Sequence, residues 1–255
     1  MEKEIVLVTG ITGYVGNWVG KMLLEQCPQF KLRASVRSLK KAEALLPVYG
    51  QAYYDSIEFV QADLTDDLSM AEAIKGAAYV IHVASAVVSS SVKYKKDEME
   101  KDAIRGTKVI LDACKQNKVK KLIVTSSVMT VIDLRKAASH FTEDDFAFGL
   151  PDSYLDAYTK SKIMQEQELL RYTKEMAPKG FTTEVCTLHP GFIIGPVLTK
   201  TWTGSVDGVR QLAQGSLAIP ELYQPSVDVR DVAQAHINAM LARPGLMANQ
   251  RINLI

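Results

Sequence analysis

The sequence predicts an α/β protein built on a doubly wound parallel sheet, and three observations support this fold class. Short apolar runs alternate along the chain with longer amphipathic stretches, which is the rhythm of repeated strand–helix–strand units. The central residues of the runs are apolar at consecutive positions, as in strands that helices cover on both faces. The chain has 255 residues, enough for one α/β domain with a small appendage.

The elements follow in order along the chain. Strands are expected at residues 5–8, 32–36, 57–60, 79–83, 121–124 and 183–188, because these are the short apolar runs. Helices are expected at residues 14–25, 39–46, 67–75, 97–117 and 157–175, where apolar residues recur near helical spacing. We therefore expect a single domain over residues 1–255.

Two long connections, at residues 127–153 and 195–225, interrupt this rhythm. The first contains charged and turn-forming residues, and the second is rich in Gly, Pro, Thr and Ser. Loops of this length in a compact domain are usually functional. Because both begin near the carboxyl ends of strands, where parallel sheets bind their ligands, a binding site is expected at that edge.

Charge and cysteine usage narrow the class of function. The 30 basic and 29 acidic side chains nearly cancel, so the basic excess that drives non-specific nucleic-acid binding is missing. The three cysteines lie far apart without a His at metal spacing, which favours reduced thiols over a disulfide or metal site. The chain starts directly with a strand, and no apolar run approaches the ~20 residues of a membrane span. We expect a cytoplasmic protein without a membrane partner.

A glycine turn, Thr9-Gly10-Ile11-Thr12-Gly13-Tyr14-Val15-Gly16, follows the first strand and opens the first helix. Gly10 permits a tight turn, Gly13 lets backbone N–H groups approach a pyrophosphate, and Gly16 lets the helix pack closely on the sheet. The helix N-terminus adds a favourable dipole. In this strand–turn–helix context the glycines predict a dinucleotide site. Its predicted contacts are Gly10, Thr12, Gly13, Tyr14, Val15 and Gly16.

The spacing of these glycines, GxxGxxG, is the pattern of the extended short-chain dehydrogenases. The segment resembles dihydroflavonol reductases, cinnamoyl-CoA reductases and fungal aldehyde and methylglyoxal reductases, which belong to the NAD-dependent epimerase/dehydratase superfamily. The resemblance covers essentially the whole chain and implies an NAD(P)-binding Rossmann fold.

The end of the second strand indicates which dinucleotide binds. NAD-specific sites place an Asp or Glu here to accept hydrogen bonds from the ribose 2′-hydroxyl. This chain has Arg37, whose guanidinium could bind a 2′-phosphate with charge-assisted hydrogen bonds, and Lys41 could assist from the following helix. The predicted cofactor is therefore NADP, bound as NADPH.

The resemblance implies further cofactor contacts at the ends of later strands. They are Asp63 and Leu64 for the adenine, Val83, Ala84 and Ser85 for the ribose, and Pro190, Ile193 and Ser205 for the nicotinamide. An Asp at a strand end is also a common turn former. His189, beside the last group, is expected to be structural rather than a general base.

Tyr158 and Lys162 form the Tyr-x-x-x-Lys pair that opens the last long helix, with both side chains on one face. Hydride delivery to a carbonyl carbon requires a proton for the developing alkoxide. A phenol with an ordinary pKa near ~10 is a poor acid–base catalyst at neutral pH unless its anion is stabilised. The Lys162 ammonium would stabilise that anion and could also bind the nicotinamide ribose, so both residues are predicted catalytic and cofactor-binding groups.

Two serines at the end of the fifth strand compete for the third catalytic role. Thr125-Ser126-Ser127 and the residues after it line up with the family's T-S-S-A-G-T-V, in which the second Ser is catalytic. We therefore expect Ser127 to hydrogen-bond the substrate oxygen, with Ser126 as the alternative. Tyr154 competes for the acid role but has no Lys four residues later.

The chain departs from its relatives in two places. Relatives continue beyond the strand at residues 250–254 with elements that complete the substrate lobe, so a small, C-terminally shortened lobe with elements in residues 195–226 is expected. Flavonoid reductases carry an Asn five residues after the catalytic Ser, where this chain has Ile132, and the cinnamoyl-CoA reductase signature around the Tyr is absent. Ile132 and Met129 predict a looser pocket for small aliphatic or aryl carbonyls.

Together these features predict NADPH-dependent reduction of a small aldehyde or ketone to an alcohol, by a monomer or homodimer without a nucleic-acid partner or metal. A nucleotide-sugar epimerase or dehydratase that retains NAD is an alternative, disfavoured by Arg37 in place of an acid. A catalytically silent NADP-binding sensor is disfavoured by the retained Tyr158 and Lys162. A hydroxysteroid-type dehydrogenase running in the oxidative direction stays open.

Overall fold

The computed structural model describes residues 2–85, 96–133, 135–136, 140–200, 204–215 and 225–255. Its strands are β1 (Ile5–Thr9), β2 (Lys31–Val36), β3 (Glu58–Gln61), β4 (Ala77–His82), β5 (Lys121–Thr125), β6 (Glu184–Pro190), β7 (Phe192–Ile194), β8 (Ser226–Asp228) and β9 (Gln250–Leu254). Seven of these form one parallel sheet in the order β3-β2-β1-β4-β5-β6-β9, while β7 and β8 form a second, two-stranded parallel sheet.

The helices connect successive strands. They are α1 (Tyr14–Gln26), α2 (Leu39–Ala42), α3 (Leu46–Tyr49), α4 (Gln51–Ser56), α5 (Asp67–Ile74), α6 (Lys96–Gln116), α7 (Ala157–Met176), α8 (Ser205–Ala213) and α9 (Val229–Leu241). Short 3-10 helices lie at Glu43–Leu45, Val128–Thr130, Asp152–Tyr154 and Ala177–Lys179. This architecture confirms the predicted doubly wound α/β fold.

The second predicted helix, at residues 39–46, is the element that differs most from expectation. It is broken into α2, a 3-10 turn, α3 and α4, and helical structure continues to Ser56. Pro47 lies in the first turn of α3 and has no N–H to continue a helix from α2. Gly50, with φ +77°, separates α3 from α4.

The sheet is buried on both faces, which explains the consecutive apolar residues of its strands. In β1, Val6 and Val8 pack on the side of α1 and α9, whereas Leu7 packs on the side of α5, α6 and α7. All three are fully buried. The two helical layers therefore enclose separate apolar cores on opposite faces of the sheet.

The strand order reverses between β1 and β4, because β2 and β3 lie on one side of β1 and the later strands on the other. At such a switch point the chain leaves neighbouring strands in opposite directions and opens a crevice at their carboxyl ends. The glycine turn after β1 and residues 83–85 after β4 both lie at this crevice. The fold thus places the predicted dinucleotide site where such sheets bind ligands.

Two further features concern the described residues as a whole. None of their helices combines the length and apolarity that a membrane span requires. Cys27, Cys114 and Cys186 are all buried free thiols.

We expect the stability of the protein to depend on the close contact between Gly16 and the glycine turn, which leaves no room for a side chain. A Cβ at Gly16 would lie 2.1 Å from the carbonyl oxygen of Gly10, so Gly16→Ala must displace backbone. We expect it to lower the free energy of unfolding by about 3 kcal/mol, the upper range for overpacking. Urea titration followed by circular dichroism measures the change.

Gly106→Ala is the matched control, because its added Cβ would come no closer than 3.5 Å to the Leu64 carbonyl oxygen. Gly106 lies inside α6, so this change should raise stability by about 0.5–1 kcal/mol through helix propensity. Equal effects of the two substitutions would contradict the packing explanation.

Candidate active site

The turn after β1 makes a close approach to the loop after β4. Gly10 has φ +73°, and a Cβ added there would lie 2.8 Å from the Ala84 nitrogen. The Ala84 N–H donates to the Thr9 hydroxyl at 3.1 Å, and that hydroxyl lies 2.8 Å from Nδ1 of the buried His82. Of the predicted ribose segment, Val83, Ala84 and Ser85 are all half-buried beside this turn.

The N-terminus of α1 is left without a side-chain cap, unlike the other long helices whose N-termini the structure describes. Gly13 occupies the cap position and makes no side-chain hydrogen bond, whereas Asp156 and Asp228 cap α7 and α9. A Cβ at Gly13 would meet only the Gly10 carbonyl oxygen, at 3.2 Å, so the turn is open above the helix. Uncapped N–H groups and the helix dipole suit an anion such as a pyrophosphate.

The other predicted residues of the turn differ in how far they are buried. Thr12 and Tyr14 are half-buried, whereas Val15 packs into the core and offers only its backbone N–H to a ligand. Burial raises the pKa of the Tyr14 phenol to about 12, with a smaller contribution from the Asp228 carboxylate.

Arg37 directly follows β2 and is exposed. Among the residues that the structure describes, its guanidinium has no hydrogen-bond or ion-pair partner. Lys41 is exposed on α2. Arg33, by contrast, is held by the Glu58 carboxylate at 2.8 Å and by the carbonyl oxygens of Ala73 and Lys75. Arg37 is thus the arginine at this strand end that is free to bind a phosphate.

Asp63 combines the two roles that the sequence left open. Its Oδ1 accepts hydrogen bonds from the backbone and hydroxyl of Thr65, at 2.9 and 2.7 Å, which forms a turn. These bonds lower the pKa of the carboxyl group, and the charge of Arg37 contributes further. Within the described chain its Oδ2 accepts no hydrogen bond. Leu64, its neighbour, is half-buried.

Ser127, Tyr158 and Lys162 meet at the carboxyl end of β5. The Tyr158 phenol lies near the Ser127 hydroxyl, whose hydrogen-bonding favours the phenolate. The Ser127 oxygen accepts from the Met129 N–H at 3.2 Å. Lys162 is 3% exposed, and its Nζ donates to the Thr125 carbonyl oxygen at 2.7 Å. The Asp156 side chain accepts from the Thr159 N–H at 2.6 Å and so fixes the start of the helix that carries both residues.

The pKa of Tyr158 departs from the sequence-based expectation. Burial raises it, the Ser127 hydrogen bond lowers it, and the nearby Asp156 carboxylate raises it further, with a net upward shift. The Lys162 ammonium is not among the causes of this shift, since its Nζ donates to the Thr125 carbonyl oxygen of β5 rather than to the phenol. The phenol is therefore held in its protonated form, which is the state of a proton donor.

The pKa of Lys162 is lowered to about 8, because burial disfavours the ammonium, and the Glu166 carboxylate opposes this shift. An ammonium with such a pKa is partly deprotonated slightly above neutral pH, whereas an ordinary surface lysine stays fully charged there. Strongly shifted groups beside one another in a crevice are typical of catalytic sites.

Ser126 and His189 hydrogen-bond groups other than the phenol. The Ser126 hydroxyl donates to the Glu166 carboxylate at 3.1 Å. His189 is fully buried between the Thr130 and Thr187 hydroxyls, at 3.0 and 2.8 Å, and burial lowers its pKa to about 3. Tyr154 is 50% exposed on the preceding 3-10 helix. The geometry therefore brings Ser127, rather than Ser126 or Tyr154, into the cluster with Tyr158.

The predicted nicotinamide contacts lie on the next strand ends. Pro190 ends β6, Ile193 lies in β7, and the Ser205 hydroxyl at the start of α8 donates to the Ile193 carbonyl oxygen at 2.6 Å. A cavity of about 600 Å³ opens beside them, between the end of β7 and α8. Its walls are mostly apolar and are formed by Ile194, Gly195, Pro196, Val197, Thr199, Lys200, Val206 and Val209.

The predicted substrate contacts follow Ser127 directly. Met129 lies in the 3-10 helix that Ser127 caps, and Ile132 follows it; both are half-buried. Residues 201–203 and 216–224 of the expected substrate lobe lie outside the described residues. Within the described chain, no group of three His, Cys, Asp or Glu side chains is placed to hold a metal ion.

Sequence reasoning missed three polar residues that border this cluster: His82, Glu166 and Arg251. His82 ends an apolar strand and Glu166 lies on a helix among other charged residues, so neither stands out by pattern. The position of Glu166, four residues after Lys162 and hence on the same helix face, was the one sequence feature that could have indicated its proximity to the site. Arg251 is far away in sequence, and only the fold shows that it lies beside Glu166.

Known proteins are similar to this chain along most of its length. An oxidoreductase of Schizosaccharomyces pombe is 30% identical over 261 residues, which is 94% of this chain and 74% of the relative. Cinnamoyl-CoA reductase CAD2 of Medicago truncatula is 28% identical over 248 residues, 92% of this chain and 72% of the relative. Yeast methylglyoxal/isovaleraldehyde reductase Gre2, solved with NADPH, has a TM-score of 0.83 at 25% identity, covering 98% of this chain and 77% of that one.

A family model settles the wider relationship. Residues 7–251 match the model of the 3-beta hydroxysteroid dehydrogenase/isomerase family, from the first strand to the last. The predicted resemblance to the extended short-chain dehydrogenases is confirmed, and the chain belongs to the 3-beta hydroxysteroid dehydrogenase/isomerase family.

Proposed function

We propose that the protein is an NADPH-dependent carbonyl reductase that converts a small aldehyde or ketone to an alcohol. The observation that carries this proposal is the cluster at the end of β5, where the protonated phenol of Tyr158 lies near the Ser127 hydroxyl and the buried Lys162 ammonium binds the Thr125 carbonyl oxygen. It is the arrangement that a proton donor needs beside a hydride acceptor. The reductases among its relatives support the same reaction class.

The residues at the switch point fit a dinucleotide phosphate. The open glycine turn and uncapped α1 would hold its pyrophosphate, and the unpartnered Arg37, assisted by Lys41, would hold the 2′-phosphate. Asp63 has a free carboxylate oxygen for the adenine amino group. When bound, NADPH supplies the hydride. The bound NADPH of the related Gre2 supports this choice.

Side chains of the protein donate the proton that the reduced carbonyl oxygen requires. Ser127 orients the substrate carbonyl oxygen, and Tyr158 donates its phenolic proton to that oxygen as negative charge develops. The raised pKa of Tyr158 keeps the proton in place until then. The buried Lys162 ammonium hydrogen-bonds Thr125 rather than the phenol, so its proposed role is to favour the phenolate through its charge as the proton leaves. Such a charge acts strongly where water is excluded.

The surroundings of the cluster favour an uncharged substrate. Met129 and Ile132 follow Ser127, and the cavity between β7 and α8, beside the predicted nicotinamide contacts, is lined by Ile194, Val206 and Val209 together with Thr199 and Lys200. Small aliphatic or aryl aldehydes and ketones match these walls, whereas a nucleotide sugar needs many polar partners.

We also propose a cytoplasmic protein that acts as a monomer or homodimer on a small molecule, without a nucleic-acid or membrane partner. The near balance of 30 basic and 29 acidic side chains supports the part of this proposal that excludes a nucleic-acid partner.

Tyr158→Phe should remove turnover while leaving NADPH binding nearly unchanged. The substitution deletes the proton donor and keeps the ring, and loss of a positioned acid costs ~10²–10⁴-fold in rate. NADPH oxidation against a carbonyl panel and cofactor fluorescence measure the two properties. Tyr154→Phe is the matched control and should keep full activity, because Tyr154 is exposed outside the cluster. A Tyr158→Phe rate above about a tenth of wild type would refute the assignment.

Arg37→Ala should abolish most of the preference for NADPH over NADH. We expect the wild type to prefer NADPH by at least about tenfold in kcat/KM, the lower end of what one charge-assisted hydrogen bond contributes. The variant should lose NADPH efficiency with NADH use little altered, and Lys41→Ala should have a smaller effect.

The control for this prediction is Arg243→Ala, which removes an exposed arginine near the amino ends of the strands, far from the carboxyl ends where the cofactor is proposed to bind. Arg243 follows α9, whose C-terminal carbonyl groups accept from Lys121 at the start of β5. An unchanged preference in Arg37→Ala would instead assign the phosphate to Lys40 or Lys41.

The reductase rate should fall as pH rises through about 8. Lys162, whose pKa is lowered to about 8, carries its charge below that value and loses it above. Since the charged form stabilises the phenolate, kcat should decline up to tenfold per pH unit on the basic side. A pH profile of kcat with saturating NADPH measures this limb. A flat profile to pH 9.5 would contradict the role of the ammonium.

A further inference from the structure

A buried ion pair joins the catalytic helix to the last strand of the sheet. Glu166 of α7 is 1% exposed, and its Oε1 accepts from Nε of Arg251 in β9 at 2.6 Å. The Arg251 guanidinium also donates to the carbonyl oxygens of Glu143 and Asp145, and stacks 3.8 Å from the Phe146 ring. The pair is therefore enclosed on the side away from the catalytic cluster.

The same carboxylate reaches the strand ends that carry the site. Glu166 Oε2 accepts from the Ser126 hydroxyl at 3.1 Å, one residue before Ser127. The Ser126 N–H donates to the Leu188 carbonyl oxygen of β6 at 2.7 Å, and His189 Nε2 lies 3.4 Å from Glu166 Oε1. Glu166 thus contacts the ends of β5 and β6 at the corner where Ser127 is oriented.

Glu166 also follows Lys162 by one helical turn, on the same face of α7. Two other titratable side chains interact with Lys162, His82 from β4 and His189 from β6. Both histidines are buried, and burial lowers their pKa values to about 3, so they are neutral in the working range. Of these three neighbours, the Glu166 carboxylate is the one that supplies a negative charge.

A purely structural explanation of this pair is weak. Burying two charges costs more than their attraction returns in many proteins, and an apolar pair would hold the helix and strand together at least as well. The carboxylate instead accepts from the serine that precedes Ser127, and it lies one helical turn after Lys162, whose pKa its charge raises. An apolar side chain could have neither effect.

We propose that Glu166, held by Arg251, is a positioning residue of the reductase site, which orients Ser127 through Ser126 and places a compensating negative charge beside the Lys162 ammonium. The inference rests on the proposed function for its catalytic readout. Its electrostatic part concerns the protein without cofactor and is measured separately.

Glu166→Gln tests the charge while keeping the shape of the side chain. Without the carboxylate the Lys162 ammonium is less stable, so the basic limb of the kcat profile should move to lower pH by about half a unit or more. At neutral pH kcat should fall several-fold with KM for NADPH unchanged. Arg251→Lys, which keeps the partner charge, should retain most of the activity.

Glu168→Gln is the matched control. It removes a buried carboxylate from the same helix, but Glu168 pairs with Arg171 rather than with the site. This variant should leave the pH profile and kcat unchanged. If Glu168→Gln and Glu166→Gln change the profile alike, the effect belongs to general destabilisation of α7 and the proposal fails.

A second measurement avoids activity altogether. In protein labelled with ¹³C-lysine, the ¹³Cε signal of Lys162, assigned by its loss in Lys162→Met, should titrate at lower pH in Glu166→Gln than in wild type. An unchanged titration overturns the proposal even if activity falls. If wild type reduces no carbonyl but the titration shifts, the proposed function fails while the charge relationship stands.

Folding of the variants is checked by thermal unfolding. Should Glu166→Gln fail to fold, Ser126→Ala tests the orienting contact alone, since it removes the hydroxyl that reaches Glu166. We expect a several-fold loss of kcat with an unchanged Lys162 titration. Full activity in Ser126→Ala would rule out orientation of Ser127 through this bond.

Discussion

The burial of the Lys162 ammonium is the constraint on which the arrangement of the site depends. Taking a charge out of water is costly unless fixed polar groups replace the lost hydration. Here the Thr125 carbonyl oxygen supplies a direct hydrogen bond, Gln165 a weaker one at 3.4 Å, and Glu166 the opposite charge. The groups that solvate the lysine thereby fix α7 to the end of β5, and with it the position of Tyr158 above Ser127.

Burial also keeps two histidines near the site neutral. His82 ends β4 and His236 lies within α9, and each pairs with a threonine hydroxyl, Thr9 or Thr125. His236 Nδ1 faces the Val232 carbonyl oxygen, so Nδ1 donates and Nε2 accepts from Thr125. Imidazoles satisfied in this way add polarity without charge. A second cation beside Lys162 would lower its pKa further.

The sequence was sufficient for the features that repeat locally, and insufficient for those that need the fold. Consecutive apolar residues located the strands of the large sheet, and the glycine turn located the dinucleotide crevice. The 3-10 turn at Glu43–Leu45 was missed because the apolar spacing of residues 39–46 is helical throughout, and the helical segments up to Ser56 were missed because Pro47 and Gly50 usually end a helix. The small sheet of β7 and β8 was missed because its three-residue strands carry too little pattern.

Long-range polar contacts were beyond reach for a different reason. Glu166 and Arg251 are 85 residues apart, and nothing in either segment indicates that they meet. The direction of the Tyr158 pKa was also missed, because the spacing of Tyr158 and Lys162 does not show where the ammonium points. Periodicity tells which face of a helix a side chain occupies, whereas its hydrogen-bond partner depends on the neighbouring strand.

Arg37 and Lys162 differ in solvent exposure, and this difference matches their different proposed roles in the site. Arg37 is exposed and without a partner among the described residues, so its charge is available to an incoming phosphate and is screened by salt until one arrives. Lys162 is buried, so its charge is already committed to the backbone and to Glu166 and acts at short range with little screening. The proposed selectivity for the cofactor therefore depends on the exposed Arg37, whose guanidinium is available to a ligand. The proposed proton transfer depends on the buried Lys162, whose ammonium is fixed by its hydrogen bond because an unpaired buried charge would be costly.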